Sequence, residues 1–256
     1  MNGEPRWSIV VPAYNEAHRI GPTLREIGRY LSQRGECSEI IVVNDGSKDD
    51  TNAVAEEAGK ALPDQVTLQL LGHAPNQGKG ASVRKGCLAA RGRYVLFTDA
   101  DLATPITEAE KLWTALDAGN DVAIGSRVHA GGKDMRASQP LYRRALGLLY
   151  HKMAALMAVG NIQDTQCGFK AFTGEAAQYL FGRQRIKGLV FDTELLFLAR
   201  QGGLRIAEVP VAWSNVGGSR MRITPGQAFQ VLADLLAIRL YHRGRGAGIG
   251  ANTVRE

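Results

Sequence analysis

The sequence predicts an α/β protein built on a mainly parallel sheet with helices on both faces. Three observations predict it. Short apolar runs alternate with longer amphipathic segments through the first half of the chain. Those runs are nearly continuously apolar, the pattern of strands covered on both sides. The unusual polar residues collect just after the runs, at Asn15 and Glu16, Asp45, Asn76, and Asp99 with Asp101. In open parallel sheets ligands gather beyond the carboxyl ends of the strands.

The elements follow in order. Residues 7–12 read as a strand, and 22–33 as a helix with Pro22 near its first turn, where a missing N–H costs least. Residues 40–44 are an apolar strand. Residues 49–62 are helical, with Asp49 or Asp50 able to cap them. A strand at 66–71, a helix at 78–90, a strand at 94–98, a helix at 104–118 opened by Pro105 and a short strand at 122–125 complete the alternation. The second half is less regular. Residues 129–135 are Gly-rich and charged and read as a loop, and 141–159 as a mostly apolar helix. Residues 169–173 and 204–209 read as strands, 190–200 as a helix and 227–241 as a C-terminal helix with a wide apolar face. The Gly-rich stretch 244–250 reads as the start of a disordered tail. No repeat and no inter-domain linker is visible, so residues 1–243 read as one domain and 244–256 as its tail.

Bulk numbers narrow the function. The chain has 256 residues, 45% hydrophobic and 22% charged, ordinary for a globular domain. A formal net charge of +6 favours anionic partners such as phosphates or an anionic membrane face. The basic residues are scattered, with no nucleic-acid-binding motif, which argues against that partner. Three widely spaced Cys argue against a disulfide framework or a zinc site and suit a reducing, cytoplasmic compartment. No signal-peptide core is visible at the N-terminus. No apolar run reaches the ~20 residues that span a bilayer. Membrane contact is therefore expected to be peripheral, through the 141–159 helix and the C-terminal helix with Arg239, His242, Arg243 and Arg245 at its end. Both helices can equally be read as packing on the sheet.

Six constellations carry the candidate chemistry. The apolar run Tyr94-Val95-Leu96-Phe97-Thr98 ends in Asp99-Ala100-Asp101. Buried charge is expensive unless a cation compensates it, and Mg²⁺ or Mn²⁺ would do so while holding a diphosphate. Turn and cap formation is the competing reading of such carboxylates. Asn44-Asp45-Gly46-Ser47 places Asp45 to accept hydrogen bonds from a base or ribose, or to form an Asp-Gly turn. Asn76-Gln77-Gly78-Lys79-Gly80 opens a helix; its glycines would let backbone N–H groups approach a phosphate, with Lys79 adding charge. Gly125-Ser126-Arg127 offers a guanidinium for bidentate phosphate contact. Phe191-Asp192-Thr193-Glu194 carries two carboxylates that do not share a helix face, so at most one is expected in a site. A basic segment, Gly217-Gly218-Ser219-Arg220-Met221-Arg222, has the makings of a loop over an anion.

In this order the motifs resemble family 2 glycosyltransferases of the GT-A fold, over about residues 8–241. Val11-Pro12-Ala13-Tyr14-Asn15-Glu16 is similar to that family's nucleotide-binding strand end, Asn44-Asp45-Gly46-Ser47 to its second motif and Asp99-Ala100-Asp101 to its metal motif. Asp164-Thr165-Gln166-Cys167-Gly168-Phe169-Lys170, Phe191-Asp192-Thr193-Glu194-Leu195-Leu196 and Trp213 with Gly218-Ser219-Arg220 resemble the dolichyl-phosphate glucose synthase branch, with dolichyl-phosphate mannose synthases as near relatives.

The resemblance implies a nucleotide-sugar-binding half, about 7–127, and an acceptor half, 128–243. Pro12, Ala13, Tyr14, Glu16, Asp45, Lys79, Asp99, Ala100 and Arg220 would line the nucleotide sugar. Asp101 would ligate Mg²⁺ or Mn²⁺. Arg127, Arg143 and Arg144 would hold the acceptor phosphate. Asp99, Asp101, Arg127 and Asp192 would carry the chemistry. Gly147 stands where mannose-synthase relatives have a serine, which removes one phosphate contact.

The implied reaction is in-line displacement at the sugar C1, with inversion, by a polyprenyl phosphate on UDP-glucose. GDP-mannose as donor, a small soluble acceptor, or a non-catalytic nucleotide-sugar-binding module are the alternatives. A hydroxyl acceptor would need a base, for which Asp192 or Glu194 are candidates.

Overall fold

The computed structural model describes residues 4–128, 162–214 and 225–243. Its elements are β1 (Trp7–Ala13), α1 (Ala17–Gln33), β2 (Ser38–Asn44), α2 (Thr51–Gly59), β3 (Val66–Gly72), α3 (Lys79–Ala89) and β4 (Tyr94–Thr98). A 3₁₀ turn (Ile106–Glu108) leads into α4 (Ala109–Asp117) and β5 (Val122–Ser126). Then come β6 (Phe169–Thr173), α5 (Gly174–Arg183), α6 (Phe191–Gln201), β7 (Ile206–Pro210) and α7 (Pro225–Tyr241).

The described strands form one seven-stranded sheet in the order β3-β2-β1-β4-β6-β5-β7. β1 pairs in parallel with β2 and β4, β2 with β3, and β5 with β7. β6 alone runs antiparallel, between β4 and β5. Every residue of β2 and of β4 is buried. Successive side chains feed opposite cores, as a period of two demands. Trp7, Ile9 and Val11 join Ile20, Leu24, Ile27, Leu112 and Trp113 under α1 and α4. Val10, Ile41, Val43, Val95 and Phe97 join Val83, Leu180, Phe181, Phe191 and Leu198 under α3, α5 and α6. That double burial explains the unbroken apolar runs in the sequence.

Several boundaries differ from the sequence reading. α1 begins at Ala17 and carries Pro22 inside it. The Glu16 carbonyl accepts from Arg19 N at 2.9 Å and Ile20 N at 2.8 Å, so the first turn closes ahead of the proline. α2 is shorter than expected, running only from Thr51 to Gly59. Helix α5 was not expected at all. Thr173 ends a strand and also caps this helix, its Oγ1 accepting from Ala176 N at 3.2 Å. Helix α7 sits half in the core. Leu235 and Ile238 are buried, while Leu236, Leu240 and Tyr241 are 53%, 61% and 52% exposed. Among the described residues no helix is long and apolar enough to cross a membrane. The expected 129–135 loop, the 141–159 helix, the 217–222 basic loop and the 244–256 tail lie outside the described residues.

Candidate active site

The reversed strand builds the site. Antiparallel pairing sets Phe169 opposite Thr98 and Lys170 opposite Phe97. The residues that enter β6 therefore meet the residues that leave β4, and Gly168 abuts Asp99. A Cβ on Gly168 would lie 2.2 Å from Asp99 Oδ2, so only glycine leaves that carboxylate room.

Behind the first two strands the turns interlock. Asn15, at φ 55°, accepts from Lys48 N at 2.8 Å through Oδ1. Its own N–H donates to Ser47 Oγ at 2.9 Å. Glu16 N donates to Thr51 Oγ1 at 2.9 Å and Ala17 N to Asp49 Oδ2 at 3.2 Å. The opening N–H groups of α1 are thus satisfied by the neighbouring turn. Hydrogen bonds from Thr51, Ala17 N and Thr51 N outweigh burial at Asp49 and hold its carboxyl below its ordinary pKa. Pro12 lies in β1, the buried Ala13 ends it, Tyr14 is 42% exposed, and Glu16 pairs with Arg19 at 3.4 Å. Asp45 N donates to Ala13 O at 2.9 Å.

Asp45 is buried, and its two oxygens accept from Gln77 N and Gly78 N, each at 2.8 Å. This bears on the expectation that amides of the Gly78-Lys79-Gly80 loop meet a phosphate, since two amides there already have partners. The Gly78 amide is engaged by Asp45, and Ala81 N donates to Lys187 O at 3.2 Å. The glycines also serve close backbone approach. A Cβ on Gly80 would lie 2.8 Å from Lys187 O and 2.9 Å from Gly188 O, and Gly78 has φ 99°.

Asp99, Ala100 and Asp101 follow β4 in a tight turn. Leu102 is held at φ 46°, its N–H donating to Asp99 O at 3.1 Å, and Ala103 N donates to Asp101 Oδ1 at 3.1 Å. A non-glycine residue at positive φ is strained, and such strain clusters at functional sites. Buried Ala100 passes its carbonyl to Thr23 Oγ1 at 2.7 Å. Burial, then the charge of Asp99, pushes the Asp101 carboxyl above its ordinary pKa, against Arg19 and Lys79. Lys79 Nζ lies 2.5 Å from Asp99 Oδ1. Burial lowers the Lys79 pKa, but Asp99, Asp192 and Asp101 more than reverse it, so the ammonium is held charged.

Arg127 reaches the cluster from the end of β5. Its Nε and Nη2 each donate to Asp164 at 2.7 Å, and its guanidinium lies 5.7 Å from the Trp213 ring centre. Burial opposes the charge of Arg127, yet Asp164 raises its pKa above the ordinary arginine value. Glu208, from β7, pins the turn beneath: it accepts from Gln163 N at 3.0 Å and Asp164 N at 2.9 Å. Burial also pushes the adjacent Cys167 thiol up to about 11, so it is inert rather than nucleophilic.

The two α6 carboxylates divide as their spacing requires. Asp192 faces the site, accepting from the fully buried Lys170 Nζ at 2.6 Å. Burial raises its pKa, while Lys170 and Lys79 act to lower it. Glu194 turns away, which removes it as a base. Its oxygens accept from Arg185 N and Ile186 N, each at 2.8 Å, and Oε1 lies 2.7 Å from His242 Nε2.

The structure thus brings Asp99, Asp101, Lys79, Arg127 and Asp192 into one cluster, with Asp45 bonded to the loop that carries Lys79. Arg143, Arg144 and Arg220 lie outside the described residues. The sequence reading assigned no role to Arg19, Asp164, Gly168 or Lys170. Lys170 carried a signal, being a cation inside the apolar run Phe169-Lys170-Ala171-Phe172. Arg19 carried none, since a basic residue early in a helix is commonplace.

Known proteins match this sequence and this fold. The model of "Glycosyl transferase family 2" matches residues 8–181, and the chain belongs to that family. It is a glycosyltransferase of the GT-A fold. Within the family it is similar to dolichyl-phosphate beta-glucosyltransferases. The Trichomonas vaginalis protein is 41% identical over 246 residues, 92% of this chain and 71% of the relative. The Homo sapiens protein is 38% identical over 248 residues, 91% of this chain and 74% of the relative. Among solved structures, glucosyl-3-phosphoglycerate synthase from Mycobacterium tuberculosis with uridine-diphosphate superposes with a TM-score of 0.66 at 21% identity, covering 91% of this chain and 80% of that one.

Proposed function

We propose that this enzyme transfers glucose from UDP-glucose to a polyprenyl phosphate of the dolichyl type, inverting the configuration at C1. The observation that carries the reading is the Asp99/Asp101 pair at the sheet tip, ringed by Lys79, Arg19 and the Asp164-anchored Arg127. The relatives named for glucosyl transfer to dolichyl phosphate support the choice of sugar and acceptor.

The donor set suits a hard divalent ion. Asp99 and Asp101 are neighbouring carboxylates, one of them already bonded to a cation. Among the described residues no group of three His, Cys, Asp or Glu could hold a metal alone. Asp101, with Asp99 beside it, would therefore hold Mg²⁺ or Mn²⁺, and the ion would supply positive charge for the donor diphosphate. Mycobacterium tuberculosis glucosyl-3-phosphoglycerate synthase has been crystallised with Mn²⁺ and UDP-glucose, which supports the same choice. When bound, the ion neutralises the charge that develops on the leaving diphosphate.

The chain's own groups bring two anions together. An acceptor phosphate is already an anionic nucleophile at neutral pH, so no strong base is needed. Arg127, oriented by Asp164, would hold that phosphate from one side, and Arg143 and Arg144 complete the proposed acceptor site. Pro12, Ala13, Tyr14, Glu16, Asp45 and Ala100 would line the nucleotide, with Lys79 and Arg220 at its phosphates. Asp192 then acts as the counter-ion that orients Lys170 and Lys79. Preorganised charge of this kind is worth more in a partly dry site than in water.

We place the enzyme on the cytoplasmic face of a membrane as a peripheral protein. Exposed Leu236, Leu240 and Tyr241 beside Arg239 on α7, with Arg243 just past its end, support that placement. The deciding experiment offers UDP-glucose or GDP-mannose with Mg²⁺ or Mn²⁺ and a short polyprenyl phosphate, with Asp101→Ala as control. Glucose on the lipid, lost in the control, is the expected result. Mannose transfer would overturn the donor. Transfer only to soluble acceptors would overturn the lipid acceptor.

A further inference from the structure

We propose that Lys79 is an internal competitor for the divalent ion. Its ammonium occupies Asp99 until metal and nucleotide diphosphate arrive together, and then moves to the diphosphate. The inference rests on the reading of this cluster as a metal–nucleotide-sugar site, and says how loading of that site is ordered.

The geometry carries it. Lys79 Nζ sits 2.5 Å from Asp99 Oδ1, on the carboxylate a metal beside Asp101 would share. The Lys79 side chain is 26% exposed and that of Asp99 41%, so neither end is locked in the core. Lys79 is the first residue of α3, and its ammonium already reaches Asp99 at the sheet tip. Asp192, whose charge also acts on Lys79, is shared: its Oδ1 accepts from Lys170, which is fully buried and also bonded to Cys167 O. An ammonium displaced from Asp99 is left only Asp192, which it shares with Lys170, and Asp101, which the metal would take. A diphosphate carried in with the metal supplies a fresh anionic partner.

The charges set the direction. A bare divalent ion at Asp99 meets an ammonium on the same carboxylate, a like-charge contact in a partly desolvated site. A metal bound to a diphosphate brings negative charge that the ammonium can join. Metal alone is disfavoured and metal with nucleotide is favoured. By linkage, each ligand then strengthens binding of the other.

The test is Mn²⁺ binding followed by electron paramagnetic resonance, with and without UDP, in wild type, Lys79→Gln and Lys79→Arg. Thermal unfolding confirms that each variant is folded. For Lys79→Gln the expected result is a change of sign. Mn²⁺ alone binds on the order of ten-fold more tightly than in wild type, and Mn²⁺ with UDP on the order of ten-fold more weakly. Lys79→Arg, which keeps the charge, gains no affinity for Mn²⁺ alone. A merely structural lysine would weaken both modes. Unchanged or weaker binding of Mn²⁺ alone to folded Lys79→Gln overturns the inference. No Mn²⁺ binding to the wild type even with UDP overturns the reading of the site itself, and the inference with it.

Discussion

Replacing Gly168 with alanine puts a methyl group where Asp99 now stands. The new Cβ would lie 2.2 Å from Asp99 Oδ2, 2.8 Å from Asp99 Cγ and 3.1 Å from Lys79 Nζ. Unbonded heavy atoms settle at about 3.5 Å, so the carboxylate must retreat by roughly 1 Å. The backbone at Gly168 is not left-handed, so alanine itself fits the chain. The strain falls on the Asp99 side chain, which is 41% exposed and free to turn. Turning it off its rotamer costs about 0.5–1.5 kcal/mol, a loss of only a few degrees in Tm for a domain of this size. Activity is expected to suffer far more, since a misplacement of about 1 Å can cost on the order of 100-fold. The assay is the initial rate of glucosyl transfer at varied donor and Mn²⁺, beside a thermal melt. A variant with kcat/KM within about three-fold of wild type would refute the claim that Asp99 must stand against a bare backbone.

Three further outcomes are expected. Asp101→Asn raises Tm at pH 7. A carboxyl whose pKa is raised by folding loses stability as pH climbs from the unfolded toward the folded value, so the gain should fade near pH ~4. A gain that persists below that pH would point to another cause. Asp164→Asn loosens the bidentate hold on Arg127 and should raise the acceptor KM about ten-fold at saturating donor, leaving the donor KM within two-fold. Glu194→Ala strands the buried Ile186 N–H and the neighbouring Arg185 N–H. It should cost about 2–4 kcal/mol in urea unfolding, and a loss under about 1 kcal/mol would show that the segment does not depend on that carboxylate.

Much of this was legible in the residues. The strands β1, β2, β4 and β5 declared themselves because burial on both faces keeps them largely apolar, and the edge strand β3 by its near-alternating pattern. The polar residues at their ends stood out for the same reason. The motif Asp164-Thr165-Gln166-Cys167-Gly168-Phe169-Lys170 was recognisable, but not the reason for its glycine, which is set by a carboxylate far away in the chain. Helix α5 escaped because its cap, Thr173, is also the last residue of β6. The Gly78-Lys79-Gly80 loop looked like a phosphate cradle, since glycine permits any close approach. That the partner is the backbone at Lys187 and Gly188 is a tertiary fact with no local trace. Glu194 and Asp192 were separable by helix geometry alone, but which of them faced the site was not.

The antiparallel β6 also bears on the order in which a nascent chain can assemble. Among the described strands β5 pairs only with β6 and β7, both later in the chain. As the polypeptide leaves the ribosome, β3, β2, β1 and β4 can join at once, but β5 must wait until residue 173 has emerged to bridge it. A chain stopped at Val128 is expected to carry β5 as a loose, protease-sensitive tail. Its Asp99 would lack both the backbone of Gly168 and the Lys170–Asp192 pair beside it. The reactive end of the sheet therefore stays unfinished until late in synthesis, so a half-made chain carries no assembled cluster.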